Sequence, residues 1–243
     1  MSVTFLNLGN CGRMGNTLFQ AAATIATALK NNDDYIFPDN WKDKEHFNIP
    51  DDKFTDGAIH CSKTYVEPFF HYASIPYQSN LNLSGFYQSE LYFKEYEMEI
   101  RHSFEYKQYF PENTGVTSIH VRRGDYATLG NSYYIDLANT SYYESAMNII
   151  KADCYFVFSD DINWCKNIFK GNKFVFIEGN EPHIDMALLS SCENNIIANS
   201  SYSWWAAYLN KNNNKKIIAP QNWFGPRLPH NTKDLYPKQW QII

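Results

Sequence analysis

Short apolar runs alternate with helical patterns over the second half of the chain. Apolar stretches with the length of a buried strand lie at 118–122, 154–159, 173–177, 195–198 and 216–219. Amphipathic stretches with helical spacing separate them at 141–151, 162–169, 184–191 and 203–209. Strands that alternate with helices in this way predict a parallel, doubly wound α/β sheet.

The beginning of the chain shows the same order of strand, turn and helix. We predict a strand over 3–8, a glycine-rich turn over 9–16 and a helix over 17–30, with Asn16 as its N-cap. The segment from 31 to 112 reads as irregular α/β, with a strand over 82–87 and helix within 89–106. The pattern therefore predicts two lobes, 1–112 and 113–243. A capping box is expected at Ser141 and Glu144, where the first helix of the second lobe begins.

Composition and charge exclude several classes of protein. The net charge is −5 and basic residues form no stripe, so we expect no nucleic-acid partner. The five cysteines are scattered without the spacing of zinc ligands, and no window of about 18 apolar residues is present for a membrane span. No secretion signal precedes the first strand, which favours a cytoplasmic protein. Aromatic residues make up 17%; most are expected in the core, and a minority could line a sugar site.

Polar clusters follow the predicted strands of the second lobe. In open α/β sheets, ligands bind beyond the carboxyl ends of the strands. A single cluster would read as a solvated loop, whereas four at four strand ends favour a ligand site. The clusters are HVRRGD at 120–125, SDD at 159–161, EGN at 178–180 and NSS at 199–201.

The chemistry of these clusters suits a phosphorylated ligand. A guanidinium group grips phosphate through two parallel hydrogen bonds, so Arg122 is a candidate for a ligand contact, while Arg123 supports the loop by pairing with Asp125. A plain surface pair of Arg and Asp is the alternative. The serines after the fourth strand precede a helix, where hydroxyl groups and free N–H groups form an anion site or simply cap the helix. Trp204 and Trp205 in that helix are expected in the core.

The pair Asp160 and Asp161 leaves three interpretations open. Two adjacent carboxylates after a strand resemble the divalent-cation motif of many glycosyltransferases. They could equally accept hydrogen bonds from guanine N–H groups or from a ribose hydroxyl. For Asp161, capping of the following helix is the simple alternative.

Four segments together resemble glycosyltransferase family 11 and the α1,2/α1,6-fucosyltransferase superfamily. HVRRGD matches the HxRRxD motif of that superfamily, and GRMGNTLFQ at 12–20 is similar to the family's GGLGNQMFQ opening. FSDDINWC at 158–165 resembles its second donor-site segment. DMALLSSC at 185–192 followed by IIANSSYSWW at 196–205 resembles its last. The segments occur in the family's order and run from about residue 9 to 209.

The resemblance implies a GT-B-type fold, with two Rossmann-like lobes whose parallel sheets face a cleft. The N-terminal lobe would be the acceptor side, and the C-terminal lobe would hold GDP-fucose. It further implies transfer of L-fucose to a sugar hydroxyl, most simply the 2-hydroxyl of a galactoside, with inversion and with neither metal nor cofactor. Animal members carry a Golgi membrane anchor, which this sequence does not show, so a bacterial or viral enzyme is expected.

The resemblance also implies roles for individual residues. Arg122 and Asp125 are the expected catalytic residues, with Asp125 either a base or an orienting group, and Gly15 and Asn16 would border the cleft from the first lobe. A metal-dependent glycosyltransferase using the two aspartates and a non-catalytic carbohydrate-binding module remain the alternatives. The expected donor-binding residues are His120, Arg122, Arg123, Ser159, Asp160, Asp161, Asp185, Asn199, Ser200, Ser201 and Ser203.

Overall fold

Two parallel sheets with their own helices form the computed structural model, which describes residues 1–129 and 132–243. The first unit contains Met1–Gln108 and His230–Pro237, and the second contains Tyr109–Pro229 and Lys238–Ile243. The sequence pattern places the boundary between 112 and 113. It does not anticipate that an eight-residue segment near the end of the chain, His230–Pro237, packs with the first unit.

The first unit is built on a five-stranded sheet in the order β3-β2-β1-β5-β4, in which all neighbouring pairs are parallel. Helix α1 is buried along nearly its whole length, and most of its buried side chains are apolar, chiefly Ala, Leu and Ile. The elements are β1 Ser2–Thr4, α1 Met14–Lys30, β2 Asp34–Pro38, β3 Phe54–Thr55, β4 Lys63–Val66, β5 Leu81–Ser84 and α2 Glu97–Ser103.

The start of α1 differs from the expectation. The helix begins at Met14, and Arg13 rather than Asn16 occupies the N-cap position. The reason is Gly12, whose φ of +96° turns the chain earlier; a Cβ atom there would lie only 2.5 Å from the Asn16 amide. Two strands of this unit also end earlier than predicted. Strand β1 ends at Thr4 instead of residue 8, and β5 ends at Ser84 instead of residue 87.

The second unit contains a six-stranded parallel sheet in the order β11-β10-β9-β6-β7-β8. The chain runs outward from β6 through β7 to β8 and then returns to place β9 on the other side of β6. The strand order therefore reverses beside β6, which is where open α/β sheets bind ligands. The elements are β6 Asn113–Val121, α3 Gly124–Leu129, α4 Tyr142–Ile149, β7 Cys154–Ser159, α5 Ile162–Ile168, β8 Phe174–Phe176, α6 Pro182–Ser191, β9 Cys192–Ile196, α7 Ser201–Leu209, β10 Ile217–Ala219 and β11 Gln241–Ile242.

The core of the second unit explains why these apolar runs form central strands. Ile119 and Val121 of β6, Val157 of β7 and Ile196 of β9 are fully buried in one cluster. Each such side chain contributes about 1.5–3 kcal/mol by leaving water. A central parallel strand is buried on both faces and is therefore typically apolar along its length, as β7 is. Strands β6 and β9 also carry buried polar side chains, among them Ser118, His120 and Asn195.

The predicted capping box at the start of α4 is wrong. Ser141 occupies the N-cap position, but its side chain accepts no capping hydrogen bond. The Tyr142 N–H donates instead to Thr140 Oγ1 at 3.2 Å, one residue earlier. Trp204 and Trp205 are fully buried, which confirms that they belong to the core. No helix within the described ranges is long and apolar enough to cross a membrane.

Candidate active site

The carboxyl ends of β6, β7 and β9 meet in the second unit. Val121 pairs with Ser159 across β6 and β7, and Ile119 pairs with Ile196 across β6 and β9. The residues that follow these strands therefore lie side by side. The sheet order thus assembles three of the four polar clusters that the sequence identifies, from segments far apart along the chain.

Arg122 lies just beyond the end of β6, held between two carboxylates. Its Nη1 donates to Asp160 and its Nη2 to Asp125, while the guanidinium carbon lies 5.2 Å from the centre of the Tyr126 ring. The side chain is 14% exposed. The carboxylates and the ring hold the guanidinium in one orientation while leaving part of it open to solvent.

Arg123 has a different environment, although it is the next residue. Its Nη1 lies 3.2 Å from the buried carboxylate of Asp136, and its Nε lies 3.2 Å from Asp161. Its guanidinium carbon lies 4.4 Å from the centre of the Trp164 ring. The expected pair between Arg123 and Asp125 is therefore wrong: Asp125 pairs with Arg122, because α3 begins at once and carries Asp125 towards that side.

The carboxylate of Asp160 closes the loop after β6. One oxygen accepts from the N–H groups of Arg123 at 2.9 Å and Gly124 at 3.2 Å, and the other accepts from Arg122. A Cβ atom on Gly124 would lie 2.5 Å from this carboxylate, so only glycine fits there without displacement. Asp160 therefore fixes the direction in which Arg122 points.

Asp161 begins the next helix. Its Oδ1 accepts from the Trp164 N–H at 3.2 Å, so the predicted N-cap of α5 is confirmed, and its own N–H donates to Ser159 Oγ at 2.9 Å. Among the residues with described positions, no group of three His, Cys, Asp or Glu side chains is arranged to hold a metal ion.

His120 lies beneath this loop and is buried. Burial lowers the pKa of its imidazole from 6.5 to about 4, which keeps the ring neutral near pH 7. The ring lies against Tyr202 with 5.4 Å between centroids, and Nδ1 is a buried atom without a hydrogen-bond partner in the described chain. The His120 carbonyl accepts from the Tyr143 hydroxyl at 3.0 Å, which anchors the end of β6 to α4.

The cluster after β9 divides into buried and accessible residues. Asn199 and Ser203 are fully buried. The Asn199 amide donates to the carbonyl groups of Ile135 and Trp223 at 2.9 and 3.0 Å, and Ser203 Oγ accepts from the Ala198 N–H at 3.2 Å. Both side chains stabilise the turn, so the expectation that Ser203 faces phosphate is wrong.

Ser200 and Ser201 are the accessible members of this cluster. Both are half-buried at the start of α7. Ser200 occupies the N-cap position, yet its side chain accepts no capping hydrogen bond. Its hydroxyl is therefore available to a ligand at the N-terminal end of the helix, where free N–H groups favour an anion.

Three remaining predicted residues belong to other elements. Asp185 is in the first turn of α6, where burial raises the pKa of its carboxyl group and Asn180 donates to it at 3.0 Å. Gly15 and Asn16 belong to the first unit, in the first turn of α1. Asn16 accepts from Gln88 Nε2 at 2.8 Å. That these two residues border a cleft stays a prediction.

Several supporting residues are not identified by sequence reasoning. Tyr126 stacks on Tyr134 with 4.4 Å between centroids, and its hydroxyl donates to the Asn199 carbonyl at 3.2 Å. Asp136 and Trp164 hold Arg123, as described above. Only Trp164 falls within a quoted motif, whereas Asp136 carries no local pattern and is recognisable only once the fold places it beneath Arg123.

The groups around Arg122 together suit one chemical class of ligand. The site presents a fixed guanidinium, an accessible serine hydroxyl and the N-terminal end of a helix at the point where the strand order reverses. A guanidinium has five N–H donors, and the two carboxylates do not use all of them. Together these groups suit a phosphorylated ligand.

Comparison with known proteins places this chain in a family. A model described as Glycosyl transferase family 11 matches residues 18–243. The O-antigen biosynthesis glycosyltransferase WbnK of Escherichia coli is 41% identical over 128 residues, which cover 49% of this chain and 42% of WbnK. The alpha-1,2-colitosyltransferase of Escherichia coli is 35% identical over 208 residues, covering 75% of this chain and 70% of that protein.

More distant similarities agree with these matches. The galactoside alpha-(1,2)-fucosyltransferase 1 of Saimiri sciureus is 26% identical over 180 residues, covering 70% of this chain and 46% of the relative. The chain thus spans less than half the length of two of these three relatives. The crystal structure of the fucosyltransferase NodZ from Bradyrhizobium superposes with a TM-score of 0.51 at 13% identity, covering 84% of this chain and 91% of that one. It shows a shared GT-B-like α/β fold. From the match of the family model and the 35% identity with the colitosyltransferase, this chain belongs to glycosyl transferase family 11.

Proposed function

We propose that this chain transfers L-fucose from GDP-fucose to the 2-hydroxyl of a galactoside, with inversion at the anomeric carbon and without a metal ion. Two kinds of relative support the linkage, because the names of both the colitosyltransferase and the galactoside fucosyltransferase state an α-1,2 bond. The donor and a glycan acceptor are the partners that this function requires.

Colitose is a second candidate for the transferred sugar. The specific observation that favours it is the 35% identity with the alpha-1,2-colitosyltransferase over 208 residues. Colitose is L-fucose without one ring hydroxyl group. A site that hydrogen-bonds this hydroxyl would reject colitose strongly, whereas a site with an apolar surface there would discriminate little. The two donors therefore have to be compared directly.

The observation that carries the proposal is the fixed position of Arg122 at the strand reversal. When the bond between sugar and GDP breaks, negative charge grows on the β-phosphate. A guanidinium that is already oriented stabilises this charge without having to reorganise during the reaction. The hydrogen bond to Asp160 and the contact with the Tyr126 ring provide this orientation.

Asp125 is the second expected catalytic residue. Its side chain is 48% exposed, compared with 29% for Asp160, so it is the carboxylate that an incoming diphosphate displaces more readily from Arg122. Once displaced, Asp125 is free to accept a proton from an acceptor hydroxyl. We therefore assign Arg122 to the leaving group and Asp125 to the acceptor.

The contacts that Asp160 and Asp161 already make favour a reaction without a metal ion. Asp160 binds one guanidinium and two backbone N–H groups, and Asp161 binds Arg123 and caps α5. A divalent cation would have to share these carboxylate oxygens with two guanidinium groups, whose positive charge repels it. Arg122 already supplies the positive charge that the cation would otherwise bring to the diphosphate.

The proposal is tested by a transfer assay with defined products. The purified chain is incubated separately with labelled GDP-fucose and GDP-colitose, each with a panel of β-galactosides in EDTA, and the linkage in the product is determined by NMR. We expect transfer to the galactose 2-hydroxyl in EDTA. Transfer from another class of nucleotide sugar, transfer to another hydroxyl, or activity only with added manganese would contradict the corresponding part of the proposal.

A further inference from the structure

Tyr126 in α3 contacts two separate segments of the candidate active site. Its side chain is buried, and the guanidinium carbon of Arg122 lies 5.2 Å from the centre of its ring. Its hydroxyl group donates to the Asn199 carbonyl at 3.2 Å, although 73 residues separate the two in the sequence. One buried side chain therefore touches both the arginine that follows β6 and the backbone that precedes α7.

The acceptor of this hydrogen bond is itself held in place. The side chain of Asn199 is fully buried and donates to the carbonyl groups of Ile135 and Trp223 at 2.9 and 3.0 Å. The next residue is Ser200, which occupies the N-cap position of α7. The hydrogen bond from Tyr126 thus reaches the backbone immediately before the accessible serine.

A second aromatic ring restrains Tyr126. Tyr134 stacks on it with 4.4 Å between centroids and 4° between the ring planes. Tyr134 in turn pairs with Phe224 in an antiparallel β-bridge, and the centroids of their rings are 5.8 Å apart. Tyr126 is therefore held through its ring as well as through its hydroxyl group, so it can fix one segment relative to the other.

The two segments carry the groups that suit a phosphorylated ligand. Arg122 offers N–H donors, and Ser200 offers a hydroxyl group at the N-terminal end of α7. A diphosphate is short, so both groups bind it well only at one relative position. In enzymes, a misplacement of about 1 Å can lower the rate by about 100-fold. A residue that contacts both segments is in a position to set this geometry.

We propose that Tyr126 is a positioning residue of the donor site, whose ring orients Arg122 and whose hydroxyl group fixes Ser200 and the start of α7 relative to that guanidinium. Tyr126 acts through these groups and need not touch the diphosphate itself. The inference rests on the proposed function, because it takes the diphosphate of GDP-fucose as the ligand that both groups bind. If Tyr126 only filled space in the core, its hydroxyl group would affect stability and leave donor affinity unchanged.

The test is a double-mutant cycle that combines Tyr126→Phe with Ser200→Ala and measures the Kd for GDP by calorimetry. Tyr126→Phe keeps the ring and removes only the hydroxyl group, so we expect the Kd to rise about fivefold, as for one lost hydrogen bond. When Ser200→Ala is already present, the same change raises the Kd by less than about twofold, because the serine hydroxyl that Tyr126 positions is gone. Equal effects in both backgrounds would show that Tyr126 acts independently of Ser200 and would overturn the inference.

A second substitution tests the ring. Tyr126→Leu lowers the kcat of fucosyl transfer about tenfold, as expected when a guanidinium loses its contact with an aromatic surface. Tyr126→Phe retains most of the kcat, because it restores that surface. A folded Tyr126→Leu variant with normal kcat would overturn the role of the ring. A thermal melt establishes folding, and if Tyr126→Leu does not fold, the cycle with Tyr126→Phe decides the inference.

Tyr155→Phe is the matched control. Tyr155 is also buried in the second unit, and its hydroxyl group donates to the Ile150 carbonyl at 2.6 Å. It lies near the amino end of β7, whereas the candidate site lies beyond the carboxyl end. We expect this substitution to lower Tm and to leave the Kd for GDP unchanged. An equal rise in Kd would show that loss of any buried hydroxyl group loosens the site, and would overturn the positioning role.

Failure of the proposed function gives a different result from failure of this inference. If GDP binds and the cycle shows the expected coupling, but no fucose is transferred to any galactoside, Tyr126 positions the donor site and the proposed reaction is wrong. A chain that binds no GDP would contradict both.

Discussion

Arg122 and Arg123 are adjacent in sequence and equally exposed, yet their partners give them different tasks. Arg122 contacts Asp125, whose side chain is half-exposed, and Asp160, so part of its bonding can be exchanged for a ligand. Arg123 contacts Asp136, which is 3% exposed, and stacks on Trp164, so its bonding is internal. Truncating one member of a buried ion pair typically costs about 3–5 kcal/mol, because the other charge is left uncompensated.

We predict that Arg122→Lys lowers kcat/KM by about 100-fold or more, close to 3 kcal/mol of transition-state stabilisation. Lysine keeps the charge but cannot bridge two partners as a planar fork does. Initial-rate kinetics with GDP-fucose and a thermal melt measure the two effects. Arg123→Lys is the matched control, and it lowers Tm more than Arg122→Lys does. A folded Arg122→Lys variant with near-normal kcat/KM would rule out the assignment of this residue.

From the burial of His120 we predict that the folded chain loses stability in mild acid. The pKa of His120 is about 4 in the folded chain because of burial, against 6.5 for the free group. The unfolded chain therefore binds a proton as the pH falls below 6.5 while the folded chain does not, so stability falls with pH. Between pH 7 and pH 5 we expect this residue to account for about 2 kcal/mol of lost stability. Urea unfolding at both pH values measures it. His120→Phe removes this contribution, whereas His102→Gln, a change at an exposed site, retains it.

At the scale of elements, Ser200 and Ser203 at the start of α7 have different roles. Ser203 Oγ is buried and bonds the Ala198 backbone, whereas Ser200 makes no capping bond with its side chain. The sequence presents both as similar residues in one polar cluster. Only the depth of each hydroxyl in the turn distinguishes a structural role from a ligand contact.

This difference gives a paired prediction. Ser203→Ala lowers the free energy of unfolding by about 1–3 kcal/mol, because it leaves a buried N–H without its partner. Ser200→Ala changes stability by less than about 0.5 kcal/mol, as expected for a substitution without lost contacts. It raises the KM for GDP-fucose several-fold. Denaturant unfolding and donor kinetics on both variants measure this, and a Ser200→Ala variant with unchanged donor KM would contradict the anion site.

At the scale of the whole molecule, two units are connected by more than one crossing of the chain. The segment His230–Pro237 returns to the first unit, where the Asp234 carbonyl accepts from Ser89 Oγ at 2.5 Å and its carboxylate accepts from the Tyr72 N–H at 3.2 Å. The chain then ends in β11 of the second sheet. Each unit is therefore built from two separate segments of the sequence, which favours cooperative unfolding of the chain.

We predict that GDP raises the Tm of the whole chain in the presence of EDTA. A ligand that binds only the folded state stabilises it by about 2.7 kcal/mol at one hundred times its Kd. Differential scanning fluorimetry with GDP, with and without magnesium, measures the shift. If the Tm rises only when magnesium or manganese is added, the metal-free site is wrong and the alternative that uses Asp160 and Asp161 is favoured. Arg122→Lys should show a smaller shift than the unaltered chain.

The sequence by itself determined the class of fold and the positions of the polar segments that follow the strands of the second unit. Central strands of a parallel sheet are buried on both faces, so β7 is visible as an apolar run with its observed bounds, and polar residues mark where such strands end. The edge strands β3 and β11 have only two residues each and carry too little pattern to be recognised. The sequence also indicates that Asp161 caps α5, because that hydrogen bond spans only three residues.

The tertiary structure decided which polar residue meets which. Apart from Asp125, the partners of Arg122 and Arg123 come from the turn after β7, from α5 and from the segment before α4, and pairing over such distances leaves no local trace. The same holds for burial, which separates Ser203 from Ser200. It holds too for the turn after β5, where the N–H groups of Phe86 and Tyr87 donate to Glu67, the residue that follows β4. A sequence pattern records the average environment of a residue along its own element. Contacts between elements depend on the order of strands in the sheet, and this order is set by packing of the whole chain.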